Sequence, residues 1–133
     1  MSMVVVGRTG RLLAPAVEEY ETRAARYFKF EVVEVDAGAG GRDDPEAVMA
    51  AEGERILARI ADGAEVVVLD RTGKTWSSRK LARHLGERGV HALGDVVFVI
   101  GGAWGLSPQV LARANRRLSL GAMTLPHEVA RLV

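Results

Sequence analysis

The chain contains no cysteine. A disulfide framework, a cysteine zinc site and a thiol nucleophile are therefore excluded. No apolar run approaches the about 18 residues of a membrane span, and Met1–Gly7 is too short for the core of a signal peptide. Excess charge of one sign is also missing. Eighteen Lys and Arg against 17 Asp and Glu leave a formal charge of +1, so any basic surface must be local. Several signatures fail for want of a single residue. Gly73-Lys74-Thr75 resembles the end of a phosphate-binding loop, but the glycine needed five residues earlier is Val68. Gly7-x-x-Gly10 lacks the extra glycine of a dinucleotide site. Asp70 suggests a phospho-acceptor, but Arg8 and Thr9 stand where an acidic pair would hold magnesium. His84, His91 and His127 have no metal-ligand spacing, so no metal is expected. No G-x-S-x-G elbow occurs.

What is present is a set of short apolar runs alternating with helical patterns. At 133 residues one domain spanning 1–133 is expected, with roughly two-thirds of its unfolded surface buried. Strands are predicted over Met3–Gly7, Phe30–Asp36 (near a sheet edge), Glu65–Asp70, Asp95–Ile100 and Arg116–Leu120. Helices are predicted over Leu13–Tyr27, Asp44-Pro45 to about Ala61, Ser77 or Ser78 to about Arg88, from Ser107-Pro108, and over Glu128–Val133. Asp44-Pro45 and Ser107-Pro108 read as a cap followed by proline in the first turn. The second helix should turn Met49, Ile56, Leu57 and Ile60 to the sheet. Gly53 inside it points to close packing, since glycine there costs about 1 kcal/mol against alanine. Strands that are apolar throughout imply an α/β fold with a mostly parallel sheet and helices on both faces.

In such sheets ligands bind beyond the carboxyl ends of the strands. Arg8, Arg11, Arg71 and Lys74 fall in loops there and are candidate phosphate contacts, although solvated basic loops are as common. Two glycine-bearing loops, Gly101–Gly105 and Gly121–His127, follow the last two strands. Without β-carbons, their main-chain groups can approach a flat ligand. The second loop is small and apolar with no lysine, which suits an adenine ring and a sulfonium better than a triphosphate.

Three segments together, Val68-Leu69-Asp70-x-x-Gly73-Lys74-x-Trp76-Ser77-Ser78, Ile100-Gly101-Gly102-x-x-Gly105-Leu106-Ser107 and Ser119-Leu120-Gly121-Ala122-Met123-Thr124-Leu125-Pro126-His127, resemble the ribosomal RNA large subunit methyltransferase H family. The resemblance runs from Val5 through Arg131. It implies a SPOUT-type, trefoil-knotted α/β fold, a homodimer, and S-adenosylmethionine-dependent methylation of N3 of a pseudouridine in the 23S rRNA of the large subunit; with neither a signal core nor a membrane span in the sequence, a cytoplasmic domain is expected. By motif position, Leu69, Gly101 and the run Leu120, Gly121, Ala122, Met123, Thr124 and Leu125 would line the cofactor site. Leu69, Leu120 and Leu125 can also be read as plain core residues at strand ends. His127 is a candidate general base or a residue bonding the loop backbone. Asp70 is a base, a ribose-binding acid or the cap of its own turn. Two departures stand out. Trp104 takes the place of a small or acidic residue, and the family continues past the position of Val133 through a long apolar helix and an aromatic-basic tail. A C-terminal helix truncated in this way leaves two readings open: an active rRNA methyltransferase, or a non-catalytic, tail-truncated RNA-binding or dimerising module of the same fold.

Overall fold

The computed structural model describes residues 1–133. Its apolar runs become β1 (Ser2–Val6), β2 (Glu31–Val35), β3 (Glu65–Thr75), β4 (Val96–Ile100) and β5 (Arg116–Ser119). They form one all-parallel sheet in the order β2-β1-β4-β3-β5. Every residue of β4 is buried, as are Val4–Val6 of β1 and Val66–Val68 of β3. β2 lies at an edge, as its mixed Val and Glu content predicts, and only Val35 in it is buried.

The helices are α1 (Ala14–Tyr27), α2 (Pro45–Leu57), α3 (Ser78–Val90), α4 (Pro108–Arg113) and α5 (His127–Leu132). Three begin at side-chain caps. Asp44 accepts from Ala47 N at 3.2 Å, Ser77 from Lys80 N at 3.1 Å, and Ser107 from Val110 N at 3.3 Å. Each cap satisfies a backbone donor that the first turn leaves free.

The two-residue period of the strands divides the core between the faces. Val4, Val6, Val66, Val68, Val97 and Val99 pack with Ile56 of α2 and Val110 of α4. Val67, Val96, Phe98 and Leu118 form the second cluster, against Leu81 and Leu85 of α3. Full burial of each such side chain contributes about 1.5–3 kcal/mol relative to exposure.

Two expectations shift. α2 ends at Leu57, because Arg59 and Ile60 bond back three residues instead of four and tighten the last turn. Its buried face is Val48, Glu52, Gly53 and Ile56; Met49 is only half-buried. Gly53 does mark close packing: a β-carbon there would collide with Ser107 Oγ and lie 3.1 Å from Ser107 Cβ.

β3 runs five residues beyond Asp70. Leu69 and then Lys74 both pair with Leu118, so Asp70–Gly73 loop out and the strand rejoins β5 at Lys74–Thr75. Gly73 permits this return, because a β-carbon would sit 2.5 Å from the carbonyl oxygen of Arg117.

Candidate active site

The carboxyl ends of β3, β4 and β5 open into one cavity of about 730 Å³. That volume lies within the roughly 300–1,000 Å³ range of small-molecule sites. Leu69, Asp70 and Arg71 line it from β3, Ile100 through Leu106 from the end of β4, and Leu120, Gly121, Met123, Thr124, Leu125 and Pro126 from the loop after β5. His127 and Ala130 of α5 and Leu111 of α4 complete the wall. Ten of the 19 lining residues are hydrophobic, and only Asp70, Arg71 and His127 among them are ionisable. Such a wall recognises a ligand mainly through apolar contact and main-chain groups.

Both glycine loops are held in shape. Gly105 N donates to Gly102 O at 3.1 Å and closes the turn after β4. A β-carbon on Gly101 would lie 2.9 Å from Leu106 and 3.1 Å from the Gly105 backbone, so the turn folds back this tightly only over a glycine. After β5, the buried Ser119 Oγ accepts from Gly121 N at 3.1 Å. It also lies 3.2 Å from Arg71 O and 2.9 Å from Gly121 O, either of which its single proton can serve. Ser119 thus ties the β5 loop to the excursion of β3. Gly121 has φ +145°, and a β-carbon on it would meet nothing within 4 Å, so the chain turns here beside open space.

The candidate cofactor residues come together with one exception. Leu69, Gly101, Leu120, Gly121, Met123, Thr124 and Leu125 all line the cavity, whereas Ala122 is exposed and does not. The candidate phosphate contacts separate. Arg71 is on the cavity wall. Arg8 lines a smaller hollow with Glu34 and Asp36. Arg11 and Lys74 are exposed and line neither. All four lie at the carboxyl edge of the parallel sheet, but β4 stands between β1 and β3, so Arg8 and Arg11 are set apart along that edge from Arg71 and Lys74.

Asp70 caps its own turn, accepting from Thr72 N and Thr72 Oγ1, each at 3.0 Å. His127 Nε2 lies 3.5 Å from Arg8 O and would be 3.3 Å from a β-carbon on Gly7. Its ring is therefore lodged against the loop after β1. α5 is fixed to the same region. Glu128 accepts from Gly10 N at 2.9 Å, and Arg131 reaches Glu21 at 2.7 Å and Glu34 at 3.0 Å. Burial opposes the charge on Arg131, but the bonds to Glu21 and Glu34 outweigh it and raise the guanidinium above its ordinary pKa.

Glu52 belongs to no sequence motif. Its carboxylate is 4% exposed, with Oε2 accepting from Gly38 N at 2.8 Å and Oε1 unpartnered. A β-carbon on Gly102 would meet that Oε1 at 2.7 Å, so Glu52 lies under the cavity floor. The signal for it in the sequence is an acid on the Val48-Glu52-Ile56 stripe of α2.

The family profile described as "Predicted SPOUT methyltransferase" matches residues 1–133. Relatives named "Ribosomal RNA large subunit methyltransferase H" include one from Gemmatimonas aurantiaca, 46% identical over 100% of this chain and 86% of its own length. One from Limosilactobacillus fermentum is 47% identical over 88% of this chain and 76% of its own length. Another, from Rubrobacter xylanophilus, is 43% identical over 99% and 85%. With a parallel α/β sheet, a cavity at its carboxyl edge and these matches along its whole length, the chain belongs to the SPOUT family of methyltransferases.

Proposed function

We propose that the chain methylates ribosomal RNA of the large subunit, taking the methyl group from S-adenosylmethionine and placing it on N3 of a pseudouridine in 23S rRNA. The observation that carries the reading is the convergence of the β3, β4 and β5 ends on one largely apolar cavity, in a chain whose relatives bear an rRNA methyltransferase name. The residues fit the donor. Gly101 and Gly121 in the lining leave main chain open to a flat ring, and Leu120, Met123 and Leu125 supply apolar sides. When bound, S-adenosylmethionine supplies an electrophilic methyl group on a sulfonium. The protein's part is to hold donor and base in line, since positioning removes much of the entropic barrier. Arg71, on the cavity wall, is placed to meet a substrate phosphate. Asp70 and His127 both have structural partners, so neither is assigned as the base that takes the N3 proton.

A homodimer belongs to the same proposal. Trp104, Leu120 and Met123, 55%, 42% and 78% exposed, form an apolar rim around the cavity mouth. A second copy would cover it and complete the site. Acting on ribosomes places the work in the cytoplasm. The test is methyl transfer to large subunits lacking the modification, scored by mass spectrometry of the rRNA. One methyl at N3 of a pseudouridine is expected. A methyl on ribose or on another base would refute the substrate, and S-adenosylmethionine binding without transfer would favour the non-catalytic module. Sedimentation of the chain tests the dimer, which a monomer at every concentration would refute.

A further inference from the structure

The formal charge of +1 conceals a strong separation. Residues 70–88 and 113–117 hold nine of the 18 Lys and Arg but only two of the 17 Asp and Glu. The remainder of the chain is net acidic. These two segments meet in space at the β5 edge of the sheet. Trp76 marks the join: Lys80 of α3 lies 4.9 Å from its ring centroid, Arg116 of β5 lies 5.6 Å away, and the His84 ring meets it edge-on at 5.3 Å.

One acid serves this cluster. Glu65, 11% exposed, binds His84 at 2.5 Å, Arg88 at 2.9 Å and Arg116 at 3.4 Å. No salt bridge involves Arg71, Lys74, Arg79, Lys80, Arg83 or Arg117, and all six are exposed. Charged side chains on an edge strand discourage edge-to-edge pairing. That accounts for Arg116 and Arg117. It does not account for Arg79, Lys80 and Arg83, which stand on a helix. Unpaired cations this close repel one another, and an array of phosphates would relieve the repulsion. The patch is also continuous with the cavity, because Arg71 lines the cavity while Lys74 rejoins β5 opposite Leu118.

We propose that the face formed by α3 and β5 is a docking surface for the phosphate backbone of RNA, running away from the cavity mouth with Arg79, Lys80, Arg83, Arg116 and Arg117 as its contacts. It rests on the reading of RNA as the substrate and says where the strand lies beyond the reacting nucleotide. Such contacts fix position and carry no sequence information. They release counterions, so binding should weaken steeply with salt.

The test compares the full chain with Arg79→Gln/Lys80→Gln/Arg83→Gln and with a control, Arg26→Gln/Lys29→Gln/Arg59→Gln, in which three unpaired cations are removed elsewhere. Binding to a fluorescent mixed-sequence RNA hairpin is measured by anisotropy across a salt series, and S-adenosylmethionine binding by calorimetry. Loss of three phosphate contacts should lower the slope of log K against log salt by about 2 and weaken binding about a hundredfold at about 0.1 M salt. The control should match the wild type, and donor affinity should be the same in all three. An unchanged slope in the α3 variant overturns the proposal, as does an equal loss in the control. So does weakened binding to polyglutamate with RNA binding intact, which would assign the face to an acidic protein. A slope that falls as expected in a chain that binds no donor keeps the RNA surface and removes the methyl-transfer reading.

Discussion

Gly53 lies mid-helix in α2, where alanine would normally add about 1 kcal/mol of stability. Gly53→Ala is expected to do the opposite. The new methyl would collide with Ser107 Oγ and stand 3.1 Å from Ser107 Cβ. Ser107 is 2% exposed and caps α4 through Val110 N, so it has little room to withdraw. Overpacking costs about 1–3 kcal/mol, and disturbing the cap about 1 more. Net of the helix gain, the loss is about 1–3 kcal/mol. At about 4 °C per kcal/mol for this size, Tm falls by roughly 4–12 °C. Gly86→Ala in α3, where a β-carbon would meet nothing within 4 Å, is the control and should raise Tm by about 2–4 °C. In a Ser107→Ala background, Gly53→Ala should become neutral or stabilising, giving a coupling of about 1 kcal/mol or more. A Tm that rises in Gly53→Ala as it does in Gly86→Ala, or a penalty that persists without the Ser107 hydroxyl, would refute the clash with Ser107. Thermal or urea unfolding suffices.

Other perturbations probe the site and its supports. Ser119→Ala leaves the Gly121 N–H without its partner and frees the loop, so donor affinity should drop about tenfold by calorimetry, in line with 1–3 kcal/mol for an orphaned donor. Gly121→Val forces a β-branched residue to φ +145°, a strain of about 1–3 kcal/mol, and should abolish donor binding while the far-ultraviolet spectrum stays native. Arg131→Met leaves Glu21 and Glu34 facing an uncharged side chain; a loss of about 1.5–3 kcal/mol should appear as faster amide exchange across His127–Leu132.

Much of this architecture is legible in the sequence because local chemistry and tertiary role agree. β4 is apolar at all five positions since both its faces are covered, and Asp44, Ser77 and Ser107 cap helices because their hydroxyl or carboxylate groups reach free first-turn donors. The return of β3 is not legible. Asp70–Gly73 is polar and turn-like, and only pairing with Leu118 and Ser119 of β5 makes Lys74–Thr75 a strand. The inward face of α2 differs by one position from the expected one, with Val48 buried in place of Met49, because both are apolar and helical period alone does not fix the phase. The cavity residues are marked by glycine-rich strand ends. Ser119 and Glu52 carry no such mark, because their roles depend on Arg71 and Gly38, distant in sequence.

The central claim is a methyl donor held by main chain between Gly101–Gly105 and Leu120–Leu125. A crystal structure with S-adenosylhomocysteine tests this most directly. The purine is expected against Gly101, with the sulfur facing the cavity mouth beside Arg71. Density for the compound at the amino ends of the strands, or a saturated crystal with this cavity filled by Leu106, Met123 and Leu125 side chains, would contradict it.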